Sequence, residues 1–197
     1  MPDNQRISPA RAQRLLDPSR LDTQLGEDDL VRLLALRGDE DVIELGSGPG
    51  FYTDRIAALT TGTVYALDIE PAMLESYRSR GVPENVQLVL GDVTHLELPA
   101  ASLDVAIYIS TWHESGGVVD LPVLARALRP GGRLMIADWR KDAESLDHGP
   151  PTNIRFDKEE VAASLAPRFL ALCAENVGRF MFAVVAVRVD PPQEQTG

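Results

Sequence analysis

The stretch Val42-Ile43-Glu44-Leu45-Gly46-Ser47-Gly48-Pro49-Gly50 constrains the fold of this chain more than any other. An apolar run ends in an acid, and three glycines alternate before a helix-forming segment opens at Phe51. This order reads as a strand, a tight turn and a helix N-terminus. Glycine allows positive φ and lets a ligand approach without meeting a Cβ, and a helix start offers free N–H groups to a polar or charged tail. The glycine spacing then separates two ligand classes. A dinucleotide fingerprint is G-x-G-x-x-G, with a third glycine for close helix packing and the pyrophosphate on the helix end. Here the pattern is G-x-G-x-G with Phe51 at the place of that last glycine, which counts against an NAD-dependent oxidoreductase.

Three further segments repeat the theme of an apolar run closed by an acid. Thr63-Val64-Tyr65-Ala66-Leu67-Asp68 ends about twenty residues past the loop, where a ribose-binding carboxylate is expected in a mononucleotide-binding half. Val86-Gln87-Leu88-Val89-Leu90 runs into Gly91-Asp92-Val93, and Arg129-Pro130-Gly131-Gly132 precedes the strand Arg133–Ala137 and Asp138. Each acid also has a plainer use: Glu44 as a strand-end carboxylate, Asp68 as a cap for the helix near Pro71, Asp92 as a turn cap. The Pro-Gly pair suits a type II turn before its strand, at the edge away from the ligand crevice, and is read as structural.

In this order the segments resemble the class I S-adenosylmethionine (SAM)-dependent methyltransferases, whose first motif is an acid followed by G-x-G-x-G. The chain is similar to the small stand-alone branch grouped with quinone-biosynthesis methyltransferases. The resemblance implies an α/β fold: a Rossmann-like three-layer sandwich with a mostly parallel seven-stranded sheet and an antiparallel C-terminal hairpin. It implies SAM as cofactor, S-adenosylhomocysteine as product and in-line methyl transfer to a small-molecule acceptor. By the same resemblance the cofactor would be held by Glu44, Gly46, Ser47, Gly48 and Gly50 of the first motif. Asp68 and Ile69 would serve the ribose, Asp92 and Val93 the adenine, with Ser110 at the end of the fourth strand. A non-catalytic SAM-binding or partner-binding protein would keep the same residues and stays as the alternative.

Ligands of an open α/β sheet lie beyond the carboxyl ends of its strands. The fourth strand would supply Ser110, Thr111, Trp112, His113 and Glu114, and the fifth Asp138, Trp139, Arg140 and Lys141. Methyl transfer mainly needs alignment, worth roughly 7–11 kcal/mol in favourable cases. A base is required only if the acceptor must lose a proton. His113 is the first choice because its ordinary pKa is near neutrality, and Glu114 and Asp138 follow; a hydrogen-bonded structural role is the alternative for His113. Trp112 and Trp139 would either wall the acceptor or pack beneath the loops. The aperiodic stretch between Arg140 and Phe156, with His148 and Arg155, is expected to be a lid or acceptor wall. Arg11, Arg14 and Arg20 would close over the cofactor carboxylate, unless they only solvate helix faces.

Composition narrows the rest. A chain of 197 residues, 44% hydrophobic and 25% charged, suits one soluble domain over 1–189, with a helical cap at 1–25 and a flexible polar tail at 190–197. No apolar run approaches the ~20 residues that span a bilayer. The N-terminus lacks a signal-peptide core, so a cytoplasmic enzyme is expected. The one cysteine, Cys173, leaves no disulfide or cysteine metal cluster, and no metal site is expected. It also sets aside the cytosine-C5 and arsenite subclasses. Ser110-Thr111-Trp112-His113 stands where amino-methylating relatives carry Asn/Asp-Pro-Pro-aromatic, and a net charge of −11 argues against nucleic acid. Helices are expected at Ser8–Leu16, Glu27–Arg37, Phe51–Leu59, Pro71–Arg80 and Val118–Leu128, and one after the Asp157/Glu160 capping pair. Strands are expected at Val42–Leu45, Thr63–Leu67, Val86–Leu90, Leu103–Ile109, Arg133–Ala137, Phe169–Ala174 and Phe180–Val189.

Overall fold

The computed structural model describes residues 9–142 and 149–189. The flexible tail expected at 190–197 and the part of the expected lid at 143–148, His148 included, lie outside the described residues. Three short helices, α1 (Pro9–Leu15), α2 (Arg20–Thr23) and α3 (Glu27–Leu34), precede strand β1 (Val42–Leu45). Then follow α4 (Thr53–Ala57), β2 (Val64–Asp68), α5 (Pro71–Arg80), β3 (Val86–Leu90), β4 (Leu103–Ile109), α6 (Leu121–Ala127) and β5 (Leu128–Trp139). A 3-10 turn at Thr152–Ile154, α7 (Lys158–Ser164) and the strands β6 (Phe169–Val177) and β7 (Met181–Arg188) complete the order.

The seven strands form one sheet in the order β3-β2-β1-β4-β5-β7-β6. The first five run parallel, and β7 lies antiparallel between β5 and β6. This is the mostly parallel α/β sandwich with a C-terminal hairpin that the sequence implies. Both faces are covered, which is why the central strands are nearly all apolar. Alternate residues feed two cores: Val42, Val64, Val105, Ile107 and Met135 join α3, α4 and Tyr77 on one face. Ile43, Leu45, Ala106, Tyr108, Leu134 and Ile136 join α6, α7 and Phe169 on the other. Strand order reverses between β1 and β4, and the crevice at that switch point is where an open α/β sheet binds its ligands.

Local signals set most boundaries. The capping box of Asp157 and Glu160 opens α7, with the Asp157 N–H donating to Glu160 Oε2 at 3.1 Å. Several elements depart from expectation: α3 ends at Leu34 and β6 runs on to Val177. Helix α4 begins at Thr53 because Phe51 and Tyr52 are still part of the turn, and α6 begins at Leu121, where the Asp120 side chain accepts from the Val123 N–H. The Pro-Gly-Gly segment lies inside β5 and not before it. Leu103 pairs with Leu128 and Val105 with Arg133, so Arg129-Pro130-Gly131-Gly132 bulges opposite Asp104. The Arg129 guanidinium ties that bulge to Asp41 (2.9 Å) and Asp104 (2.5 Å). These groups sit where β4 begins, at the end of the sheet away from the crevice. Among the described residues no helix is long and apolar enough to cross a membrane.

Candidate active site

The turn after β1 is hydrogen-bonded to β2. The N–H groups of Gly46 and Ser47 both donate to the Leu67 carbonyl, at 2.8 and 2.9 Å, and the Gly48 N–H donates to Asp68 Oδ2 at 2.7 Å. The glycines do separate jobs. A Cβ on Gly46 would stand 2.2 Å from Thr111 Cγ2, and one on Gly50 2.3 Å from the Tyr77 ring, so these two positions let other elements close in. At Gly48, φ +55, a Cβ would meet only Leu15 Cδ1 at 3.7 Å; this residue faces open space. That space is a cavity of about 310 Å3 over the carboxyl ends of β1, β2 and β4. Glu44, Gly46, Ser47, Gly48, Asp68, Ile69, Asp92, Val93, Ser110 and Glu114 all line it. Gly50 does not: it faces Tyr77, which corrects its place among the ligand-facing glycines.

Two acids lie deep in the cavity. Glu44 is 2% exposed and accepts from Thr53 Oγ1 at 2.5 Å. Burial pushes its carboxyl up to about 8, with Asp68 and Asp54 adding repulsion against the bond from Thr53 and the charge of Arg20. Asp68 spends one oxygen on the Glu70 N–H (2.9 Å) and the other on Gly48, and burial raises it as well. Asp92 stands nearer the surface, where the Thr94 N–H and hydroxyl, each at 2.8 Å, hold it below the usual carboxylate range. The Ser47 hydroxyl is buried in the wall with no hydrogen-bond partner among the described residues.

The N-terminal helices roof this cavity. Arg20 is 9% exposed, donates to the Leu15 carbonyl (2.6 Å) and Gln24 Oε1 (3.1 Å), and lies over the rings of Phe51 and Tyr52 at 4.8 and 4.9 Å. Burial draws its pKa down. Ser110 adopts φ +59 just past β4 and donates to the same Gln24 oxygen at 3.2 Å. Arg11 meets Glu114 at 3.0 Å. Arg11 and Arg20 therefore line the cavity and Arg14 does not. Thr111 lines the cavity as expected, and the walls that sequence reasoning missed include Phe51, Tyr52 and Met73. The first two could have been found from the turn length, since a helix delayed to Thr53 leaves both rings in the loop.

The expected base is elsewhere. His113 Nδ1 lies 2.8 Å from Asp138 Oδ1, the His113 N–H donates to Oδ2 at 3.0 Å, and the Trp139 N–H donates to Oδ1 at 2.6 Å. Both side chains are buried, and neither lines the cavity. His113 and Asp138 are thus corrected from acceptor-facing groups to a buried pair that anchors the segment after β4. The strand period explains it: Asp138 continues the row Leu134, Ile136 on the α6/α7 face, whereas Glu44 and Asp68 continue Val42 and Val64 on the other. Trp112, 1% exposed, packs edge-on against Tyr108 at 5.6 Å, and Trp139 stacks on Phe180 at 6.3 Å. Neither ring walls the cavity. Nor does any described residue of the expected lid; Lys141, Asn153, Ile154 and Arg155 line a different cavity. Among the described residues no cluster of three or more His, Cys, Asp or Glu could hold a metal ion.

The family model for a methyltransferase domain matches residues 43–136, from β1 into β5. A ubiquinone/menaquinone biosynthesis C-methyltransferase UbiE of Pseudomonas fluorescens (strain Pf0-1) is 28% identical over 83% of this chain and 64% of its own length. A demethylmenaquinone methyltransferase of Mycobacterium sp. (strain JLS) is 29% identical over 86% of this chain and 71% of its own. The chain thus spans less than two thirds of that first relative. A crystal structure of a SAM-dependent methyltransferase from Aquifex aeolicus superposes with a TM-score of 0.79 at 26% identity, covering 92% of this chain and 99% of the other. The cavity suits SAM, on which the Aquifex aeolicus enzyme depends, offering an open glycine, a hydroxyl without a partner among the described residues and acids at three strand ends. On sequence, on fold and on the chemistry of this crevice, the chain is similar to the class I SAM-dependent methyltransferases.

Proposed function

We propose that this chain transfers a methyl group to a small-molecule acceptor, SAM supplying an electrophilic methyl and leaving as S-adenosylhomocysteine. One observation carries the reading: Glu44, Asp68, Asp92 and Glu114, from the ends of four strands, converge on one cavity with the open Gly48. Glu44, ionised, would face the cofactor ammonium, and Arg20 its carboxylate. Asp68 would accept from the ribose diol with Ile69 beside it, and Asp92 from the adenine amino group with Val93 as an apolar wall. Gly46 and Ser47 would supply backbone and hydroxyl contacts at the amino-acid end, and Ser110 would close the floor.

For the acceptor side, the assignment moves from His113 to Glu114, the one group among the three expected acids and bases that lines the cavity. The Arg11 guanidinium, 3.0 Å away, holds this side chain at the cavity wall. The similarity to a C-methyltransferase of ubiquinone/menaquinone biosynthesis favours a carbon acceptor, which must shed a proton after the new bond forms. The helices within residues 9–25 would cap the cavity as part of one domain that runs to residue 189. The net charge of −11 supports a small molecule over a nucleic acid.

The test is an assay with methyl-labelled SAM against a panel of phenols, hydroquinones and other small nucleophiles, reading S-adenosylhomocysteine and labelled product. Label transfer to a panel member supports the reading. Calorimetric SAM binding without turnover on any member would favour a non-catalytic SAM-binding protein.

A further inference from the structure

The segment from Thr111 to Gly117 is the wall of two cavities. Thr111, Glu114 and Ser115 face the main one, while Trp112, Gly116 and Gly117 face a second, of about 380 Å3, closed by Phe156, Ile154 and the α7 residues Val161 and Ser164. The Trp112 ring is buried, yet its indole N–H donates to no described residue. Gly117, at φ +75, keeps that donor open: a Cβ there would lie 3.3 Å from the Trp112 Nε1 and 3.1 Å from Phe156 Cζ. Next to it, Gly116 has nothing within 4 Å of where its Cβ would be. Two glycines thus hold one face of the cavity flat beside an aromatic ring, with the indole N–H at its edge. A donor at the wall of a cavity offers one hydrogen bond to an oxygen bound there.

The charges around the cavity are already committed. Lys141 is paired with Glu160 at 2.6 Å and with Asp157 at 3.6 Å, and the Arg155 guanidinium donates to the carbonyls of Pro150 and Arg140. Nothing here selects for a charged ligand. The walls suit a neutral flat molecule, and the indole N–H suits one oxygen on it.

We propose that this second cavity is a binding site for a small, neutral, planar aromatic molecule whose carbonyl or phenol oxygen accepts from the Trp112 indole N–H. The site is separate from the methyl-transfer reading and does not depend on it.

The chain has two tryptophans, so an amide correlation spectrum of the 15N-labelled full chain shows two indole signals, and Trp112→Phe assigns them. The probes are 4-hydroxyacetophenone and 1-naphthol, titrated with and without saturating SAM. The expected result is a saturable downfield shift of the Trp112 indole proton, with the Trp139 signal unmoved, in both conditions. Ser164→Leu, which fills the cavity from the exposed end of α7, should abolish the shift while both indole signals keep their positions in the free protein. A Trp112 signal static to both probes would overturn the proposal. So would a shift that persists in Ser164→Leu, or one that SAM competes away, since the latter places the probe in the main cavity.

Discussion

At the ends of β1 and β2 the acids Glu44 and Asp68 line the cavity, whereas at the end of β5 Asp138 faces away from it and is held by the His113 ring and two backbone N–H groups. In the first region burial raises both carboxylates in pKa, an arrangement that costs stability and leaves them beside the space a ligand would fill. In the second, an equally buried acid is saturated by the His113 ring, the His113 N–H and the Trp139 N–H. A carboxylate near the carboxyl end of a parallel strand therefore serves binding in one place and scaffolding in the other. What separates them is strand parity, because a shift of one residue sends a side chain to the opposite face of the sheet.

The contrast is open to attack, and the largest effect is expected at Asp138. Asp138→Ala leaves several buried donors without an acceptor, at about 1–3 kcal/mol each. Urea denaturation should show that loss while calorimetry on the folded fraction finds SAM affinity nearly unchanged; a variant of wild-type stability, or one crippled only in binding, would break the division. Next comes turnover. With an acceptor from the screen, Glu114→Gln should slow methyl transfer roughly 10²–10⁴-fold, the usual worth of a general base. His113→Gln, which keeps a donor toward Asp138, should stay near the wild-type rate, and the reverse ranking would return the chemistry to the histidine.

A smaller change is expected from Asp68→Ala. Removing an ionised partner of the ribose should weaken SAM binding by about 1.5–3 kcal/mol, read by titration calorimetry. Unaltered affinity would move Asp68 from the binding region to the scaffold that positions Gly48. The smallest effect concerns Glu44 and pH. The folded chain holds this proton up to about 8, above the ordinary carboxyl value, so the unfolded chain binds fewer protons in between. The stability from this group is therefore complete below about 4.3, the unfolded value, and lost as pH rises through about 8. Between about pH 7 and 8 the loss stays under about 1.4 kcal/mol, the worth of one pKa unit. Glu44→Gln, which cannot ionise, should flatten that slope. SAM binding to the wild type should release a proton near pH 7, visible as a buffer-dependent binding enthalpy; a buffer-independent enthalpy would mean that Glu44 stays neutral beside the cofactor.

The sheet was legible because period and punctuation agree: Val42–Leu45, Pro71–Arg80, Val86–Leu90 and Leu103–Ile109 have the bounds their patterns imply. The glycine turn and the acids at Asp68 and Asp92 were legible for a related reason, as strand-end groups on one crevice. Gly50 escaped because a glycine that admits a ring reads the same as one that admits a ligand. Position past a strand end tells how high a residue sits on the rim but not which way it faces, and that misled the reading of His113, Trp112 and Trp139. Counting Leu134, Ile136, Asp138 would have turned Asp138 away from the cavity. The bulge at Pro130-Gly131-Gly132 depends on Asp41 and Asp104 meeting Arg129, a contact far apart in sequence with no local pattern to announce it.

Ser110 carries one more consequence, for anyone who would engineer this chain for heat tolerance. A residue with a Cβ held in the left-handed region costs roughly 1–2 kcal/mol that a glycine would not. Ser110→Gly is thus an obvious stabilising exchange. Yet the hydroxyl it removes is the tie to Gln24, which in turn orients Arg20 in the cavity roof. A harder protein with a looser roof would result, so at this one peptide robustness and grip on the ligand are selected in opposite directions.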